Sequence, residues 1–441
     1  MHVVFSVCEI VMEISREKYL NDLISRKWNR QIKVITGIRR CGKSYLLKTM
    51  FKRHLLESGV DPDHIIVLEL DQAFAFEYRN PLNLAKFIRE AVKDKPGEYY
   101  LFIDEIQDCE AVPNPAVPNG RKITFYDVLN EVGDFENLDV YVTGSNSKML
   151  ATDILTEFRG RGDEVRVHPL SFSEWFAAKG GDERKGFQEY AYFGGMPLAF
   201  FKPDEGSKSA YLKSLFAEVY LRDIVERRKV SRPDVLANVL DFLSSGIGSL
   251  TNANNVANVL RTRYGYDVSV NTIDAYLGHL EDAFLFSKVR RYDIKGRTYF
   301  DYPNKYYCED VGLRNARVGF RHQEITHLTE NVIYNELRLR GYDVDVGVVN
   351  SRERNADGKY VQVPREIDFV INRFGERLYV QSAWAIADEA KRADEFKPFS
   401  MTGDSFRKVI VREDVGRKWF DDNGVLNVGL YDFLLDPKSL D

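Results

Sequence analysis

One short segment constrains this chain more than any other: Gly37-Ile38-Arg39-Arg40-Cys41-Gly42-Lys43-Ser44. The spacing G-x-x-x-x-G-K-[ST] makes a loop whose glycines let successive backbone N–H groups turn toward one anion. An apolar, β-branched run, Ile32-Lys33-Val34-Ile35-Thr36, precedes it, and a helical pattern from Tyr45 to Lys52 follows. Strand, loop and helix N-terminus in that order form a phosphate cradle. The pattern predicts a parallel α/β sheet that holds ATP across Gly37 to Ser44 and at Tyr45. Lys43 would reach the β- and γ-phosphates, and the Ser44 hydroxyl would ligate Mg2+. An incidental glycine turn is the competing reading, and the strand–loop–helix context argues against it.

Further β-branched runs at Ile65–Leu68, Tyr100–Ile103, Val140–Val142 and Val165–Val167 alternate with helix-length segments, which indicates βαβ units with helices on both faces of the sheet. The run Tyr99-Tyr100-Leu101-Phe102-Ile103 ends in Asp104-Glu105. A strand ending in an acid beside a phosphate loop places Asp104 as a Mg2+ ligand, directly or through water. Glu105 has no packing reason to be there and is suited to polarise water as a general base. The next apolar run ends Val142-Thr143-Gly144-Ser145-Asn146. In P-loop ATPases of the additional-strand class this strand lies between the two motif strands. It presents a polar side chain to the γ-phosphate, with Ser145 the first choice and Asn146 the second. Arg159-Gly160-Arg161-Gly162 offers guanidiniums for the charge of a transferred phosphoryl group, Arg161 or Arg159, in cis or across a subunit interface. A solvated basic loop is the competing reading.

At 441 residues the chain is too long for one ordinary core, which suggests roughly two to four domains. Its net charge of −5 supplies no global attraction to nucleic acid or an anionic membrane. Cys8, Cys41, Cys109 and Cys308 have no paired spacing, so reduced thiols in a cytoplasmic protein are expected rather than zinc or disulfides. No run approaches the ~20 apolar residues of a membrane span. The apolar opening residues contain Glu9 and lack a basic leader, so no signal peptide is expected, and Met12 is the expected initiator.

Three units are expected: residues 1–230, the phosphate-binding sheet with a helical extension; 231–324, three helices and a hairpin with the rhythm of a winged helix; and 325–441, a small α/β domain. The whole reads as an α/β multidomain chain. The seven histidines show no metal-ligand spacing, and His64, His168 and His279 read as packing or surface residues. Tyr306 and Tyr307 read as core aromatics.

With these pieces assembled, the chain resembles a prokaryotic family of AAA-type ATPases with a C-terminal domain related to restriction endonucleases. The resemblance runs from about Glu13 to Leu434. It is carried by the phosphate loop, Phe102-Ile103-Asp104-Glu105-Ile106-Gln107, Val142-Thr143-Gly144-Ser145-Asn146-Ser147, Tyr192-Phe193-Gly194-Gly195-Met196-Pro197, Arg222-Asp223-Ile224 and Glu366-Ile367-Asp368-Phe369. It implies ATP binding and hydrolysis, with Arg16 and Tyr19 lining the adenine side.

A nuclease of the restriction type needs an acid, a second acid or glutamine, and a lysine on the next strand. Asp368 and Gln381 fit, with Glu336 a candidate accessory ligand, but Ala383 stands where the lysine belongs. Lys391 on the following helix is a speculative substitute. A degenerate fold without cleavage is therefore the expectation. The third helix of the winged region, Val270 to Asp282, has acids and no Lys or Arg, which disfavours insertion into a DNA groove. Lys288, Arg290, Arg291, Lys295 and Arg297 on the hairpin leave backbone contact with DNA open, but a protein or interdomain role is favoured. Three purposes follow: an ATPase switch acting on a protein or nucleic-acid partner, an ATP-driven DNA-processing enzyme, or a non-hydrolysing nucleotide-gated scaffold. Nothing in the sequence fixes an oligomeric state.

Overall fold

The computed structural model describes residues 13–117, 120–145, 160–321, 324–354, 359–384 and 389–441. Five parallel strands form the first sheet: β1 (Ile32–Thr36), β2 (Ile65–Glu69), β3 (Tyr99–Asp104), β4 (Leu138–Thr143) and β5 (Gly162–Arg166). Their order is β2-β3-β4-β1-β5, so β4 lies between the strand leading to the phosphate loop and the strand ending in Asp104, as expected. Every residue of β1, β3 and β4 is buried, which is why these strands read as continuous apolar runs rather than as alternating ones. Lys33 is the exception in β1. It pairs with buried Asp139 and lies over the Tyr141 ring at 4.8 Å, so its charge is neutralised inside the sheet.

After β5 the chain becomes helical: Phe172–Lys179, Glu183–Phe193, Pro197–Phe200 and then an unbroken helical stretch over 205–227. The first of these starts at a reciprocal capping box between Ser171 and Glu174. Three helices follow, Pro233–Ser245, Ala253–Tyr264 and Val270–Asp282, then the antiparallel pair β6 (Phe286–Asp293) and β7 (Thr298–Cys308).

The hairpin is not a free wing. β6 pairs in parallel with β8 (Asp343–Arg354), which makes β6 and β7 one margin of an eight-stranded mixed sheet. The others are β9 (Tyr360–Arg373), β10 (Glu376–Ala383), β11 (Arg407–Arg412), β12 (Trp419–Phe420) and β13 (Leu426–Gly429), in the order β12-β13-β11-β10-β9-β8-β6-β7. This sheet takes strands from both sides of residue 325. Strands β8 and β9 are longer than their apolar cores suggest, because Asn350 to Arg354 pair with Pro364 back to Tyr360 beyond the buried part of β9. One face of the sheet packs its Val346, Phe369 and Val380 with Phe172, Trp175 and Phe187, so the helical segment after the first sheet shares a core with the last third of the chain. Among the described residues no helix is long and apolar enough to cross a membrane.

Candidate active site

The phosphate loop leaves the C-terminal end of β1. Gly37 has φ +133°, and a Cβ there would lie 2.0 Å from the Val167 carbonyl oxygen, so only glycine fits beside the end of β5. Lys43 is buried, and its Nζ donates to the carbonyls of Gly37 at 2.9 Å and Ile38 at 3.0 Å. No carboxylate neutralises it in these contacts. The loop is braced from outside by Arg16, which donates to Cys41 O at 3.1 Å and His168 O at 2.7 Å and pairs with Glu174 at 2.9 Å.

The ends of β2, β3 and β4 converge on the helix that follows the loop. Ser44 Oγ donates to Asp104 Oδ1 at 2.9 Å, and Thr143 Oγ1 donates to the same oxygen at 2.5 Å. Lys48, one helical turn after Ser44, reaches Asp104 Oδ2 at 2.9 Å and Glu69 Oε2 at 2.5 Å. Thr143 also accepts the Glu105 backbone N–H at 2.9 Å. Glu105 itself has φ +54°, a left-handed conformation that is costly for a side-chain-bearing residue and clusters at functional sites. Its carboxylate accepts from Gln107 Nε2 and lies 3.5 Å from Ser145 Oγ. Sequence reasoning missed Lys48, Thr143 and Gln107. The signals were present: Lys48 is four residues beyond Ser44, and Thr143 is the last residue of its strand.

A cavity of about 500 Å³ opens over the loop. Arg40, Lys43, Ser44 and Glu105 supply polar lining, and Ile14, Leu170, Pro197, Leu198 and Phe201 supply apolar lining. Tyr45 stands at the mouth, its hydroxyl donating to Glu13 at 3.0 Å. Cationic and hydroxyl groups together with apolar surface suit a phosphate chain and a flat base. Arg16 reaches this cavity. Tyr19 does not line it: the ring is buried beneath the Arg16 guanidinium, and its hydroxyl accepts the His168 N–H at 3.2 Å.

Magnesium fits the donor set, since Ser44 and Asp104 present hard oxygens already in contact. Among the described residues no group of three or more His, Cys, Asp or Glu could hold a metal ion. Mg2+ commonly takes one or two carboxylates and completes its shell with phosphate and water.

Residues 29–176 match the family described as AAA domain, and residues 184–324 match one described as a domain of unknown function, DUF8612. An uncharacterized protein of Haemophilus influenzae is 33% identical over 406 residues, which is 90% of this chain and 93% of the relative. The chain belongs to an AAA-type P-loop ATPase family. Uncharacterized protein MJ1544 of Methanocaldococcus jannaschii is 27% identical over 409 residues, 88% of this chain and 82% of its own length. Structural neighbours include the Aeropyrum pernix ORC1 protein in complex with DNA, at 13% identity, 70% and 93% coverage and a TM-score of 0.31. Another is AMPPCP-bound DnaA from Aquifex aeolicus, at 16% identity, 62% and 89% coverage and a TM-score of 0.30. Overlaps this loose say nothing about partners.

Within this AAA-type ATPase, Arg161 requires a correction. Its carbonyl accepts the Ile32 N–H at 2.8 Å, which puts it beside the first residue of β1, and its side chain pairs with Asp134 at 2.5 Å. The phosphate loop follows the last residue of that strand, about 13 Å away at the usual rise. Arg161 is therefore not a cis residue of the phosphate site. Asn146, Arg159 and the expected start at Met12 lie outside the described residues.

In the C-terminal sheet a lysine from another strand meets Asp368. Lys305 on β7 reaches Glu330 at 2.8 Å, Glu366 at 2.6 Å and Asp368 at 3.8 Å. Asp368 also accepts the Ser382 N–H at 2.8 Å, and Gln381 accepts the Asp368 N–H at 3.2 Å. Burial and then Glu330 push the Asp368 carboxyl well above its ordinary value, against the pull of Lys305. Burial acts to lower the Lys305 ammonium, but Glu330, Asp368 and Glu366 carry it above its usual value. Glu336 is not part of this cluster: it pairs with Arg340 at 2.7 Å. Ala383 packs into the apolar cluster with Tyr379 and Phe399, and the side chain of Lys391 lies outside the described ones. Tyr306 and Tyr307 are buried, as expected, with Tyr307 stacked on Tyr334 at 4.4 Å.

Proposed function

We propose that the protein hydrolyses ATP to ADP and phosphate with Mg2+, and that its nucleotide state acts on a partner through the C-terminal half. The observation that carries this reading is the convergence of Ser44, Asp104 and Glu105 at the ends of β3 and β4, directly against the phosphate loop. Lys43 gives up two carbonyl contacts to neutralise the β- and γ-phosphates. Ser44 and Asp104 would hold Mg2+, which when bound supplies positive charge to the phosphate oxygens. Glu105 takes a proton from the attacking water as the water oxygen bonds to the γ-phosphorus and the bond to the β–γ bridging oxygen breaks. Ser145, in contact with Glu105, is placed to register whether a γ-phosphate is present. The base lies against Ile14, Leu170 and Phe201, an apolar surface that Arg16 borders.

A cytoplasmic switch acting on a protein partner is favoured over a DNA-processing enzyme. Two features support this. The acid cluster of the C-terminal domain, taken as a degenerate restriction-endonuclease-like fold, already spends its lysine on its own carboxylates. The helix Val270–Asp282 of the winged-helix-like unit carries no basic residue other than His279. The test is magnesium-dependent phosphate release by the wild type beside Glu105→Gln, with and without DNA. Turnover lost in the variant while ATP still binds supports the assignment, and stimulation by DNA would promote the nucleic-acid reading. Equal background release from both proteins, with ATP binding intact, would leave a nucleotide-gated scaffold.

A further inference from the structure

The second arginine of interest comes from the helical extension. Asp223 accepts Arg39 Nη1 at 2.9 Å and Arg227 Nε at 2.8 Å, both on Oδ1. One carboxylate oxygen thus serves two guanidiniums, one from the phosphate loop and one from the helix. Asp223 and Arg227 are four residues apart on the helical stretch over 205–227, so they share a face. The same helix also takes hold of the loop backbone, because Tyr220 OH donates to Arg39 O at 2.6 Å.

Arg39, Ser145, Asp223 and Arg227 line one crevice, and Ser145 touches Glu105. Burial and Glu105 raise the Asp108 carboxyl, while Arg227, Arg79 and Arg39 act to lower it, so these arginines and the proposed general base share one electrostatic neighbourhood. Beyond Arg227, Arg228 pairs with Asp282 at 2.7 Å, at the end of the third helix of the following unit.

On the reading that ATP occupies the phosphate loop, we propose that Asp223 is an anionic stand-in for the γ-phosphate. Without ATP it holds Arg39 and Arg227 together. With ATP bound, the γ-phosphate takes the Arg39 guanidinium from it, and the helix ending at Arg227 is released from the loop on that side. ADP lacks the competing charge and leaves the pair intact. Asp223 is then a positioning residue through which the helical units distinguish ATP from ADP, and the contact of Arg228 with Asp282 carries the difference onward.

The test is the ratio of dissociation constants, Kd for ATP over Kd for ADP, measured calorimetrically with magnesium in a Glu105→Gln background that prevents turnover. Asp223→Asn removes the competitor with almost no change of shape, and the ratio is expected to fall roughly tenfold. Arg39→Gln removes the γ-phosphate partner, and the ratio is expected to rise by a similar factor. Ratios unmoved in both variants, or equal shifts for both nucleotides, would show a structural anchor and overturn the proposal while leaving the ATP site standing. Failure of the background protein to bind either nucleotide would sink the ATP reading, and this inference with it.

Discussion

The phosphate site and the C-terminal acid cluster are made of the same residue types, carboxylates and a buried lysine, yet they dispose of charge in opposite ways. Lys43 rests on two neutral carbonyls, so an incoming phosphate breaks no ion pair to reach it. Lys305 sits within 2.8 Å of Glu330 and 2.6 Å of Glu366, with Asp368 beyond, so a ligand there would have to undo existing pairs. The first arrangement is poised for an anion, and the second is closed on itself. It ties β7 to β9 and to the helix Ile325–Leu339. Residue type alone does not separate a site from a structural lock; what the charges already touch does.

Three substitutions press on this contrast most strongly. Glu105→Gln should lower phosphate release by ~10²–10⁴-fold, the range for loss of a general base, with ATP affinity retained. Lys305→Met should leave ATP affinity intact but cost about 3–5 kcal/mol of stability, because it strands buried carboxylates without their cation. Denaturant unfolding measures that directly, and a protein as stable as the wild type would mean the cluster is no lock. Gly37→Ala should cost about 1–3 kcal/mol in backbone strain alone, and the close Val167 carbonyl should also deform the cradle and weaken ATP binding. Nucleotide titration of that variant reporting wild-type affinity would mean the loop does not need the geometry described.

Much of the phosphate site was legible in the sequence, since loop, strand and acid are each adjacent in the chain to the element that positions them. The buried parallel strands announced themselves as unbroken apolar runs, and β4 lies where the Thr143–Ser145 signal implied. Arg161 misled as a cis residue because its charge was read without its register. A residue that precedes a strand of a parallel sheet lies at the opposite end from a loop that leaves a neighbouring strand. Glu336 misled by phase: it is six residues from Glu330, about 240° around the helix, and so points elsewhere. Lys305 could not be found at all, because its place in the cluster depends on β6 joining β8, a long-range pairing with no local signature. The same holds for Arg39 with Asp223, where the helix and the loop meet only in the folded chain.

The smallest expected effect sharpens the comparison by pH. The Asp368 carboxyl is raised in the folded protein by burial and by Glu330, so the folded state holds its proton at pH values where the unfolded chain has released it. Its contribution is fully present below the unfolded value, near 3.8, and is lost as pH rises through the higher folded value. Asp368→Asn mimics the protonated acid and can still accept the Ser382 N–H. The variant should therefore gain stability relative to the wild type as pH rises from about 4 toward neutrality, while phosphate release stays unchanged. Melting curves at several pH values read the difference. A gap between the two proteins that does not move with pH would mean that Asp368 titrates as an ordinary carboxylate, and that Lys305 compensates the cluster as fully as carbonyls and hydroxyls leave the phosphate site open.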